Sequence, residues 1–110
     1  MTRIGLPRQL EIHRHGDAGG VVLVLQGELD LASAPELAQE LRELEATDVG
    51  RILIDLRELR FMDATGISLM IRAQQSADAN GHRLALRRGP DQVQRLFQLT
   101  GVLDRFTFQD

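Results

Sequence analysis

The chain has 110 residues, 43% of them hydrophobic, which is the size of one domain with enough apolar side chains for one modest core. Its 13 basic residues are all Arg and it has no Cys, which excludes disulfides, thiolate metal ligands, a thiol nucleophile and any lysine-dependent chemistry. A net charge of −3 speaks against a basic face for nonspecific nucleic-acid binding.

Met1 to Pro7 reads as a loose lead-in without the long apolar run of a signal peptide. Leu10 to His15 alternates Leu10, Ile12 and Arg14 with Glu11, His13 and His15, the pattern of a half-exposed strand. Gly16 to Gly20 turns the chain into Val21–Leu25, a segment apolar at every position, as in a central strand covered on both faces. This is also the longest apolar run, far short of a bilayer span, so a cytoplasmic chain with no membrane insertion is expected.

A helix is expected from about Ser33. Ser33 and Glu36 have capping-box spacing, Pro35 falls in the first turn, and Leu37, Ala38, Leu41 and Leu44 recur at helical spacing. Ile52-Leu53-Ile54 predicts a second buried strand ending at Asp55-Leu56, followed by a short polar crossover, after which Phe61-Met62 re-enter the core. Asp63 then caps a helix over about Ala64–Ala79, closed by Asn80-Gly81 in a left-handed cap. Leu84-Ala85-Leu86 predicts a third buried strand. Pro90 opens a helix with Val93, Leu96, Phe97 and Thr100 on one face and Gly101 as its stop, and Phe106–Phe108 a last short strand. Strands alternating with helices predict an α/β domain: one mixed, mostly parallel sheet of four to five strands, an initial antiparallel hairpin, and three or more helices.

The segment from Asp55 to Ile67 joins a buried strand end to a helix start, where α/β folds collect binding sites. Asp63 can accept from the N–H groups of Thr65 or Gly66, and Gly66 permits close approach of another element. This segment resembles the signature of the STAS family, an Asp-Leu pair, a short spacer, an apolar pair, then Asp-Ser-Ser/Thr-Gly, from which it departs at Ala64. Gly27-Glu28-Leu29-Asp30 resembles the family's other recurrent motif, and the element order matches from about Leu10 to Phe108.

The resemblance implies a single STAS domain of the anti-sigma factor antagonist type, which acts by binding and not by catalysis, with no cofactor or metal. Its partner would be an anti-sigma factor that is also a serine/threonine kinase, whose capture frees a sigma factor. Phosphorylation of the hydroxyl directly after the signature Asp would break the complex, and a phosphatase would restore it. The partner surface would comprise Glu28, Asp30, Met62, Asp63, Ala64, Thr65 and Gly66. Ala64 has no hydroxyl at the acceptor position, so Thr65 is the candidate acceptor. The alternatives are binding without regulation and another branch of the family, such as the STAS subunit of a membrane transporter or a signalling scaffold.

Other constellations are incomplete. His13 and His15 share a strand face but lack a third ligand. Glu28 and Asp30 sit like paired carboxylates with no companion nucleophile or oxyanion-hole motif, and suit a rim meeting a partner's arginines. Arg57, Arg60, Arg87 and Arg88 can meet phosphate or acidic residues, or simply be solvated. Asp55 at a strand end invites comparison with phosphorylated receiver domains, but the lysine of that chemistry is missing, as is the Gly-x-Ser-x-Gly elbow of a hydrolase.

Overall fold

A computed structural model describes residues 9–109; the lead-in expected over residues 1–7 lies outside them. The alternating segment forms β1 (Leu10–Asp17), paired antiparallel with β2 (Gly20–Leu29) in a tight hairpin where Gly19 takes a φ of 78°. The chain then alternates: α1 (Ala34–Glu45), β3 (Arg51–Met62), α2 (Ala64–Asn80), β4 (Arg83–Arg87), α3 (Asp91–Leu99), a 3-10 turn (Leu103–Arg105) and β5 (Phe108–Gln109). The sheet runs β1-β2-β3-β4-β5, every pair after the first being parallel. Right-handed crossovers that step in one direction lay all three helices on the same face.

That face holds the core. Leu23, Leu25, Ile52, Ile54, Leu84 and Leu86 of the sheet belong to one cluster with Leu37, Leu41 and Leu44 of α1, Ile67, Met70 and Ala77 of α2, and Val93 and Phe97 of α3. The Phe97 ring meets Phe106 and Phe108 edge-on, with centroids 5.4 and 5.2 Å apart, which ties the end of the chain to α3.

Four expectations are corrected by this arrangement. Val22 and Val24 are only half-buried: they point to the face that carries no helix among the described residues, while Leu23 and Leu25 point to the core. The polar crossover after Asp55 is strand, for β3 runs unbroken to Met62 beside β2. Phe61, expected in the core, is 49% exposed. Thr100 lies beyond α3, exposed, its hydroxyl donating to the Leu96 carbonyl at 2.8 Å.

Candidate functional site

The two motif segments meet at one end of the sheet. Glu28 pairs with Phe61 and Leu29 with Met62 in the β2–β3 ladder, and the Asp63 N–H donates to the Leu29 carbonyl at 3.2 Å. Asp63 is the N-cap of α2 as expected: its carboxylate accepts from the Thr65 N–H at 2.9 Å and the Gly66 N–H at 3.4 Å. Gly66 is needed for close approach. A Cβ there would lie 2.5 Å from Met62 Cγ and 3.1 Å from Leu29 Cδ2. Met62 is itself buried, so it seats the helix start and offers a partner little surface.

Asp30 holds the local backbone. Its carboxylate accepts from the Ala32 and Ser33 N–H groups at 3.0 and 3.1 Å and from the Ser33 hydroxyl, folding the turn that leads into α1. Ser33 forms no capping box: it has helical dihedrals, caps nothing with its side chain, and donates its hydroxyl to the Glu28 carbonyl at 2.8 Å. The spacing to Glu36 is that of a capping box, but the Asp30 carboxylate and carbonyl already hold the N–H groups of Ser33 and Ala34.

What this rim presents to solvent is Ala64, exposed at the first helical position, half-exposed Glu28, and Leu31, 74% exposed on the turn between β2 and α1. Thr65 is half-buried and faces sideways into a groove of about 320 Å³ between α1 and α2, lined also by Leu31, Pro35, Leu69, Arg42 and Arg72. Ala64 and Thr65, adjacent in sequence, therefore have different surroundings: one faces bulk water, the other a half-apolar furrow edged by two guanidinium groups. Leu31 was not singled out from the sequence, because a lone Leu in an apolar context carries no sign of being exposed.

A second polar cluster sits on the helix-free face. Asp55 is 1% exposed and accepts from the Arg57 N–H at 3.0 Å, from the Arg57 guanidinium at 2.8 Å and from Arg87 Nη1 at 3.2 Å. Burial pushes its carboxyl up, but the hydrogen bonds from Arg57 and the charges of Arg57 and Arg87 outweigh that and hold it below the usual carboxylate range. Arg57 and Arg87 thus serve as internal partners of Asp55. His13 shares this face and meets Gln26 at 2.9 Å; among the described residues no three His, Cys, Asp or Glu side chains lie together as metal ligands would. No helix of the described residues is long and apolar enough to cross a membrane.

A family model described as Mlab, STAS domain, matches residues 12–107. No curated protein sequence matches the chain significantly. Among solved structures, the anti-sigma factor antagonist SpoIIAA in its unphosphorylated form superposes with a TM-score of 0.78 at 22% identity, over 91% of this chain and 89% of that one. An anti-sigma factor antagonist from Mycobacterium paratuberculosis gives 0.80 at 21% identity, over 96% and 89%. The Bacillus cell fate determinant SpoIIAA in its phosphorylated form gives 0.69 at 20% identity, over 92% and 91%. At these identities the likeness is one of fold.

Proposed function

We propose that this chain, which belongs to the STAS domain family, is an anti-sigma factor antagonist: a protein-binding module that captures a kinase-type anti-sigma factor and so frees a sigma factor. The observation that carries this reading is the convergence of the two motif segments. The ladder between β2 and β3 and the bond from Asp63 to Leu29 make one continuous rim from Glu28 to Gly66. On that rim an exposed Leu31 lies beside a capped helix start. An exposed large apolar side chain next to fixed polar groups is the composition of an interaction surface. The likeness to structures described as anti-sigma factor antagonists supports the same reading. No catalysis is part of it, because no nucleophile, base and oxyanion donors converge on the rim.

A second reading is favoured by Ala64. With no hydroxyl at that position, the module binds without phospho-regulation, as a transporter subunit or a signalling scaffold. Affinity capture from the native lysate by wild type and by Ala64→Arg separates the two. Recovery of a kinase-type anti-sigma factor by wild type alone supports the first reading. A transporter ATPase in its place supports the second, and capture unaffected by Ala64→Arg moves the site away from this rim.

A further inference from the structure

β3 runs past its neighbour on one side. Its pairing with β4 ends at Asp55 opposite Arg87, whereas its pairing with β2 continues to Met62, so the stretch from Leu56 to Met62 has no strand on its β4 side. α3 lies along that gap, and between the two runs a groove of about 640 Å³, which shares no lining residue with the furrow that holds Thr65. Two of the three large exposed hydrophobics among the described residues line it, Phe61 at 49% and Leu99 at 76%, together with Leu96. Arg60 and Arg95 also line it against a single acid, Asp91, and neither Arg makes an ion pair with a described residue.

The main chain at this edge is poorly suited to strand addition. The Arg60 carbonyl is already taken by the Gln92 side-chain amide, and the irregular register of β3 against β2 twists the edge away from a flat template. Recognition in the groove must therefore come from side chains. An apolar floor flanked by two unpaired guanidinium groups fits one chemistry, in which large apolar residues and carboxylates recur about a helical turn apart.

We propose that the groove between β3 and α3 is a second docking surface, which takes an acidic amphipathic helix of a partner protein. Its apolar face lies on Phe61, Leu96 and Leu99, and its carboxylates meet Arg60 and Arg95. This site adjoins the rim around Asp63 at Phe61 and Met62 but centres on Phe61, Leu96 and Leu99, and it does not depend on the partner assigned to that rim.

The test is selection of phage-displayed random peptides on the immobilised full chain, followed by fluorescence anisotropy of the enriched peptides. Enriched sequences should carry acids and large apolar residues at helical spacing. Their affinity should fall about tenfold or more in Phe61→Ser with Leu99→Ser, and in Arg60→Glu with Arg95→Glu. It should be unchanged in Leu31→Arg on the other rim. All of these positions are exposed, so the variants should fold, which circular dichroism checks. Three results would each overturn the proposal: enrichment without acids, peptides that bind the groove variants as tightly as wild type, or loss of binding only in Leu31→Arg. Concentration-dependent dimers of wild type that the groove variants abolish would also overturn it, because the groove would then be filled by a second copy of this chain.

Discussion

Asp55 and Ser33 are the only buried polar side chains among the described residues, and each is surrounded by partners. For Asp55 the sign of the pH effect follows from its depressed pKa. Folding favours the ionised form, so the stabilisation is fully present above the unfolded carboxyl value of about 3.9 and is lost as pH falls through the lower, folded value. Urea unfolding at a series of pH values should show wild type losing stability below about pH 4 more steeply than Asp55→Asn, which has no charge to lose. Equal slopes would mean that Arg57, largely solvated, screens the pair to nothing. Two glycines offer a second comparison at this scale. Gly27 has a φ of +104°, and a Cβ there would lie 2.1 Å from the Gln9 carbonyl oxygen, whereas the Cβ at Gly66 meets the flexible Met62 side chain. Both Ala variants should lose about 1–3 kcal/mol, with Gly27→Ala the worse because backbone cannot yield as Met62 can. A smaller loss in urea midpoint for Gly27→Ala than for Gly66→Ala would contradict this ordering.

Individual elements begin and end for reasons that are partly local and partly not. The start of α1 depends on Asp30, four residues before its first helical residue, and not on Glu36. Asp30→Ala should therefore cost about 1–2 kcal/mol in thermal or urea unfolding, while Glu36→Ala should cost only the few tenths of a dipole interaction. The reverse ranking would restore the capping box. The cap at Asp63 and the left-handed Gly81 were legible in the sequence because each is settled within three or four residues. β3 was misread beyond Asp55 because its buried positions there are Leu56, Leu59 and Met62, a spacing of three that no regular strand gives. Register explains it: Val24 faces Asp55 but Gln26 faces Glu58, and Gly27 faces Leu59 but Glu28 faces Phe61, so β3 carries one extra residue at each shift. Two bulges turned an alternating pattern into one that reads as a loop. The ion pair of Asp55 with Arg87, separated by 32 residues, and the exposure of Leu31, Phe61 and Leu99 depend on how the strands and helices pack, so no local pattern could announce them.

At the scale of the molecule, the one-sided layering decides which surfaces are left to bind. Three helices on one face of the sheet bury the core there, and the strand ends at Leu29 and Met62 emerge together beside the start of α2. On the proposed function, regulation by phosphate would act on that rim, where the two candidate positions are unequal. Thr65 looks into a furrow that Arg42 and Arg72 also line, so an added negative charge there meets two cations and the positive end of α2. Thr65→Glu should therefore leave the folded state as stable as wild type, within about 0.5 kcal/mol. Its cost should fall on the partner, since an added charge that loses its hydration or opposes a like charge at an interface costs about 2–5 kcal/mol. Ala64 is exposed at the first helical position, where a hydroxyl is open to a kinase, so Ala64→Ser should be phosphorylated faster than wild type. Thr65 is half-buried, so its hydroxyl should be modified more slowly than one at position 64. Intact-mass kinetics with the cognate kinase, on wild type, Thr65→Ala and Ala64→Ser, distinguish the outcomes. Slow modification of wild type that disappears in Thr65→Ala and accelerates in Ala64→Ser fits a weakened switch. Equal modification of wild type and Thr65→Ala removes Thr65 from the mechanism, and no modification of wild type or Ala64→Ser leaves a binding module that phosphate does not control.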